Sequence, residues 1–189
     1  MANNSFLAPT AQPAPEDEKW RGATIRALNL KPVVTIKSTA SVSSAIETMQ
    51  ENGYDQLPVL NSHEKLVGLV TLGNLLSYIS HGRATLDTPV SEVMFDFTKI
   101  KEVVTDPSEI GSVEPPAGGQ TGHDAGVKKR RYDEITLETP LSALNRFFEH
   151  NSAGIVTEKA TDGDGLRPIH VVTKVDLLSF LVKKGRIAN

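Results

Sequence analysis

Apolar positions in this chain follow two rhythms that alternate along it. Val33, Val34, Thr35 and Ile36 form a β-branched run of the kind that makes a strand. Ser38, Thr39 and Ser41 then supply hydroxyls able to cap a helix. Val42, Ala45, Ile46 and Met49 recur at three- and four-residue spacing, which predicts an amphipathic helix stopped at Asn52 and Gly53. A short apolar strand over 57–60, a polar turn over 61–65 and a second strand over 66–70 read as a hairpin. Thr71 ends it and caps a helix carrying Leu72, Leu75, Leu76 and Ile79, with Gly82 as its stop. Pro89 suits the first turn of a further short helix over 90–94.

The second half repeats the pattern. Ile135, Thr136 and Leu137 form the strand, and Pro140 opens a helix with Leu141, Leu144, Phe147 and Phe148 on one face, stopped at Asn151. The hairpin follows, with strands over 153–157 and 169–172 around a turn at 160–165. Thr173 caps a helix carrying Val175, Leu177, Leu178, Leu181 and Val182. The stretch Val70-Thr71-Leu72-Gly73-Asn74-Leu75-Leu76 returns as Val172-Thr173-Lys174-Val175-Asp176-Leu177-Leu178. The expected fold is therefore α/β of the α+β kind, two βαββα repeats packed as a pseudo-twofold pair. Two such units bury a sheet surface that neither covers alone, and the seam between them is a natural cleft.

The organisation expected is a flexible leader over 1–19, a first repeat with a linker helix over 20–95, a linker over 96–131, and a second repeat over 132–189. The leader is rich in Pro, Ala and acidic residues, and Trp20 at its end reads as an anchor packed on the domain. From about 105 to 126 large apolar groups nearly vanish, which predicts a disordered insertion. Gly118 to Gly122 has neither the strand nor the helix that a phosphate cradle needs.

Composition narrows the function classes. A net charge of −3 argues against a nucleic-acid binder, and the one dense basic run, Lys128-Lys129-Arg130-Arg131, is followed at once by Asp133 and Glu134. With no cysteine, disulfides, thiolate chemistry and cysteine-bound zinc are excluded. No apolar stretch reaches the ~18 residues of a membrane span, and the first twenty residues lack the pattern of a secretory signal, so a cytoplasmic location is expected. Asp162-Gly163-Asp164-Gly165 reads as a turn because the later glutamate of a calcium loop is missing. His63, His81, His123, His150 and His170 are scattered without triad or metal spacing.

Candidate chemistry sits at the repeat. Thr71 and Thr173 both stand at a strand-to-helix junction, where free backbone N–H groups collect. Asp176 lies one turn beyond Thr173, so hydroxyl and carboxylate can hold a ribose diol or form a plain capping box. In the first copy Asn74 takes the place of the acid. Tyr54 can stack on a purine, and the backbone beside Asp55, Gln56 and Leu57 can read its edge; the alternative makes Tyr54 a packing residue and Asp55 a turn former. The second copy has no aromatic there. A mixed site of first-unit loop plus second-unit threonine and acid is thus better equipped than its mirror.

At these residues the two units resemble tandem cystathionine β-synthase (CBS) domains, the ligand-sensing pair called a Bateman module. The stretches 29–34, 53–60, 144–149 and 170–178 are similar to the C-terminal regulatory region of cystathionine β-synthases, above all the fungal forms. The likeness spans roughly 20–182 apart from the insertion. It implies a non-catalytic sensor of an adenosyl ligand, with S-adenosylmethionine as the effector, serving an enzyme of transsulfuration. Position by position, Tyr54 fits the aromatic on adenine, and Asp55, Gln56 and Leu57 the loop beside it. Val171, Thr173, Val175 and Asp176 fit the second wall with its ribose carboxylate, and Thr71 and Asn74 a degenerate second site. Tyr54 stands where the resemblance leads one to expect phenylalanine. The pyridoxal phosphate and haem sites of such enzymes lie in an N-terminal region absent from this sequence, so neither group is expected here, nor a metal. Implied partners are the adenosyl molecule, further copies of the module, and a pyridoxal-phosphate-dependent catalytic domain. The competing readings are a ligand-free structural or oligomerisation module and an AMP or ATP sensor.

Overall fold

The computed structural model describes residue 20 and residues 22–100, 102–111 and 131–187. The leader over 1–19, most of the basic run and the glycine-rich stretch lie outside the described residues, as does the part of the expected insertion over 112–130.

The first unit is built from β1 (Ile36–Lys37), α1 (Val42–Asn52), β2 (Gln56–Leu60), β3 (Leu66–Thr71) and α2 (Leu72–Ser80). Ser41 caps α1 by accepting from the Ser44 N–H, and Gly53 ends the helix at φ 67°, a conformation glycine adopts without strain. β1 pairs parallel with β2, and β2 antiparallel with β3. A short helix α3 (Val90–Val93) leads into β4 (Phe95–Asp96), which extends the sheet along β3. In the second unit, α4 (Leu141–His150), β7 (Ala153–Lys159), β8 (Leu166–Thr173) and α5 (Lys174–Ile187) repeat the order. β7 and β8 form the matching antiparallel hairpin, with Ala153 opposite Thr173 as Gln56 stands opposite Thr71.

Both leading strands are shorter than expected. In the first unit residues 33–35 are drawn towards the other half of the molecule, where the Val33 N–H donates to the Ile169 carbonyl at 3.0 Å, leaving Ile36 and Lys37 to pair. In the second, only Ile135 bridges Val156. There a turn closes at once: the Thr136 N–H donates to Thr139 Oγ1 and the Thr139 N–H to the Thr136 carbonyl.

The start of the expected insertion is ordered. β5 (Glu102–Val104) pairs parallel with β6 (Arg131–Asp133), and Val104 and Ile110 are buried in the second core. Asp106 organises the turn between them by accepting from the N–H and hydroxyl of Ser108, and Gly111, at φ 74°, donates its N–H to Asp133 Oδ2. One well-placed isoleucine anchors a segment whose average composition is polar.

The two cores are cross-pinned by the chain that precedes each unit. Trp20 and Ile25 open the sequence of the first repeat, yet they pack in the second core with Leu141, Leu144 and Val156. Val90 and Val93 lie in the first core with Val42 and Met49. The hydrogen bonds match pair by pair. The Ile25 N–H donates to the Thr139 carbonyl as the Val90 N–H donates to that of Ala40, and the Leu141 N–H donates to the Ala23 carbonyl as the Val42 N–H donates to that of Thr88. This exchange generates the pseudo-twofold.

The hairpin tips also meet. Lys65 Nζ lies 2.9 Å from Asp162 Oδ2 and 3.1 Å from Asp164 Oδ2. The hydrogen bond to Asp162 holds the Lys65 pKa above the usual lysine value, and Lys65 in turn holds Asp162 below the usual carboxylate value. The acidic turn thus serves a lysine of the other repeat.

Candidate functional site

A cavity of about 500 Å³ opens at the seam. The loop from α1 to β2 supplies Tyr54, Asp55 and Gln56, and the end of β8 with the first turn of α5 supplies Val171, Thr173 and Asp176. The two halves of the expected mixed site therefore share one cleft. Tyr54 is 40% exposed, as a ring at a cavity mouth must be if it is to receive a flat ligand. The loop is fixed by the Tyr54 N–H on the Met49 carbonyl and by the Asp55 carbonyl, which accepts from the Leu72 N–H.

Leu57 and Val175 are not among the cavity lining. Leu57 follows Gln56 on β2, so its side chain points to the opposite face, into the first core, where it is fully buried. Val175 is 68% exposed on the outer side of α5. The face of α5 that meets the cavity carries Asp176, Ser179, Phe180 and Lys183, the spacing of a single helical stripe.

Thr173 and Asp176 are joined at the helix start. Both the N–H and the hydroxyl of Thr173 donate to Asp176 Oδ2, each at 2.8 Å. The capping pair is present, and Oδ1 takes part in neither bond. A carboxylate held this way is pre-oriented to accept from a diol with its second oxygen.

Sequence reasoning missed the third wall, the residues from Ala27 to Val34. Asn29, at φ 50°, turns the chain out of the short 3-10 turn Ile25–Leu28, and asparagine tolerates that left-handed geometry better than most residues. Lys31, Val33 and Val34 then run along the cleft. The signal available was the stretch 29–34, one of those that resemble the regulatory region of cystathionine β-synthases.

The mirror position holds a cavity of about 380 Å³ with a different lining. Leu69, Ala153 and Gly154 are its counterparts of Val171 and the β2 start, but Thr71 and Asn74 do not line it. Thr71 Oγ1 accepts the Asn74 N–H at 3.1 Å as an ordinary helix cap. Aromatic rings occupy the flank instead: Phe95 to Phe97 at 5.7 Å and Phe97 to Tyr132 at 5.4 Å between centroids. The Tyr132 hydroxyl is buried without a hydrogen-bond partner among the described residues. Burial pushes its pKa up to about 12; the nearby Thr157 hydroxyl, which donates to the Ile135 carbonyl, softens the rise. Among the described residues no three His, Asp or Glu side chains group as a metal site, and no helix is long and apolar enough to cross a membrane.

This fold, two cross-pinned repeats with a cleft at their seam, is that of a CBS-domain pair. A family model of the CBS domain matches residues 25–81. In sequence the chain is similar to cystathionine β-synthase of Saccharomyces cerevisiae, with 40% identity over 159 residues that cover 84% of this chain and 28% of that protein. It is also similar to cystathionine β-synthase of Dictyostelium discoideum, with 35% identity over 185 residues, 97% of this chain and 30% of that protein. The chain thus spans less than a third of the length of these relatives.

Solved structures share the fold at low identity. CBSX2 of Arabidopsis thaliana aligns with a TM-score of 0.58 at 17% identity, covering 87% of this chain and 98% of that one. CBSX2 has also been solved with AMP, at a TM-score of 0.56, 17% identity and coverage of 87% and 99%. A CBS-domain pair solved with methylthioadenosine and S-adenosyl-L-methionine aligns at 0.54, 17% identity and coverage of 86% and 98%.

Proposed function

We propose that this module is a regulatory sensor of an adenosyl ligand, with S-adenosylmethionine as effector, acting on the catalytic part of a cystathionine β-synthase-like enzyme. The observation that carries the reading is the convergence of Tyr54, Asp55, Gln56, Val171, Thr173 and Asp176 on one cavity. Its volume falls in the range of small-molecule sites. In this reading the adenine stacks on Tyr54 and the ribose hydroxyls donate to Asp176, with Thr173 steadying the carboxylate. Similarity to two cystathionine β-synthases supports the choice of effector and enzyme, and complexes of related folds with S-adenosyl-L-methionine and with AMP support the ligand class. Because the cleft is shared by both repeats, a ligand that fits one stance of the pair better than another shifts the population between them.

Leu76 on α2 and Leu178 on α5 are mirror residues, 69% and 61% exposed, and Val175 and Val182 widen the second patch. Exposed apolar helix faces of this kind support self-association of the module.

The test is calorimetric titration of the chain with S-adenosylmethionine, AMP and ATP in parallel. Saturable binding of the sulfonium compound, lost in Asp176→Asn, supports the sensor; no heat from any of the three moves the assignment to a structural module. Binding of AMP or ATP alone would keep the cleft and change the effector.

A further inference from the structure

One pair of mirror positions differs in kind between the two cavities. Gly68 on β3 and His170 on β8 each stand three residues before the capping threonine of the next helix, and each faces the segment that walls its own cavity. Gly68 pairs backbone to backbone with Asp96. The approach is so close that a Cβ at Gly68 would lie 2.6 Å from the Phe95 carbonyl oxygen and 2.7 Å from Met94 Sδ. At the larger cavity that ladder is absent and a side chain stands in its place. His170 Nδ1 lies 2.7 Å from the carbonyl oxygen of Lys31, the counterpart of Asp96. A carbonyl only accepts, so Nδ1 carries the proton and the imidazole is the donor. Among the described residues a single backbone bond stands beside it, from the Val33 N–H to the Ile169 carbonyl. Lys31, Val33 and Val34 line the cavity, whereas His170 stands behind them.

We propose that His170 is a positioning residue for the adenosyl cleft. Its imidazole substitutes for a backbone ladder and sets the 29–34 wall at the distance from β8 that admits a nucleoside, while Gly68 lets the mirror wall close down. The proposal rests on the adenosyl reading of the cleft. It also makes the wall easier to move than its laddered counterpart, since one side-chain bond and the single Val33–Ile169 backbone bond hold it.

Donor and bulk are separable. Asparagine places an amide N–H at the same number of bonds from the backbone as Nδ1, leucine supplies bulk without a donor, and glycine reproduces the mirror residue. The experiment combines amide hydrogen exchange of the ligand-free chain with calorimetric titration by S-adenosylmethionine, on the parent and on His170→Asn, His170→Leu and His170→Gly. Loss of one hydrogen bond predicts exchange at Val33, whose N–H is bonded to Ile169, about tenfold faster in the leucine and glycine variants, with α1 and α4 unchanged, and binding about fivefold weaker or more. His170→Asn restores both to within about twofold. If the parent binds no adenosyl compound, the cleft reading fails and the exchange arm alone judges the wall. If the parent binds and the leucine and glycine variants match it in both readouts, His170 has no positioning role. An asparagine variant that behaves like leucine overturns the donor.

Discussion

The two seams of this molecule start from the same grammar and end in different chemistry. Each joins the end of one repeat's hairpin to the loop ahead of the other's, and each has a threonine at the start of the next helix, Thr71 accepting the Asn74 N–H and Thr173 donating its N–H and hydroxyl to Asp176. At the larger one the acid Asp176 and the ring of Tyr54 share a cleft with a wall tied to β8 by the Val33 N–H and the His170 ring. At the smaller one the wall is laddered onto β3 and Phe95, Phe97 and Tyr132 fill the flank. Duplication supplies the frame, and a few substitutions decide which copy keeps room for a ligand.

The strongest way to break this contrast is at its acid. Charge-assisted hydrogen bonds are worth about 1.5–3 kcal/mol each, so Asp176→Ala is expected to weaken S-adenosylmethionine binding roughly a hundredfold or more, read by calorimetry. The same change removes the acceptor for Thr173, which lowers the denaturation midpoint through a cap loss of about 1 kcal/mol. Asn74→Ala at the mirror position leaves the affinity unchanged.

The closed seam is tested next by crowding it. Gly68→Ala drives a Cβ into the Phe95 carbonyl and Met94, so a loss of about 2 kcal/mol is expected in urea unfolding. Tyr132 gives a comparable effect through pH. Its folded pKa is about 12 against an ordinary value of about 10, so in that interval the native state keeps a proton that the unfolded chain releases. Its contribution is fully present below about pH 10 and falls as pH rises, by roughly 2 kcal/mol on approaching pH 12. Tyr132→Phe flattens that part of the alkaline stability profile, which urea midpoints between about pH 9 and 11.5 would register. Smallest is the mouth of the open cleft. Tyr54→Ala forfeits stacking worth about 1–1.5 kcal/mol and weakens the ligand roughly tenfold, while Tyr54→Phe stays within about twofold.

Much of this was legible locally. The stripes of α1 and α4, the hairpins and the caps at Ser41 and Thr71 are written in short-range spacing, and the structure places them as read. What escaped depends on distant partners. Trp20 was read as an anchor, but nothing near it tells that the 20–30 segment docks on the second core, because that choice is made by Thr139 and Leu141 over a hundred residues away. Ile110 was hidden for the opposite reason, a lone apolar residue in a polar stretch that an Asx turn aims at Phe147. At the cleft, the resemblance carried Leu57 and Val175 along with their neighbours, whereas strand alternation and the helical stripe turn both away. The aromatic flank of the second cavity escaped because Tyr132 comes from a strand on the far side of the insertion.

One seam is equipped for a ligand and the other is not, and the stoichiometry of S-adenosylmethionine binding measures that difference most directly. Calorimetry should give one site per chain, abolished by Asp176→Asn and untouched by Asn74→Ala. Two equivalent sites per chain, or a single site lost in the Asn74 variant and kept in the Asp176 variant, would contradict it.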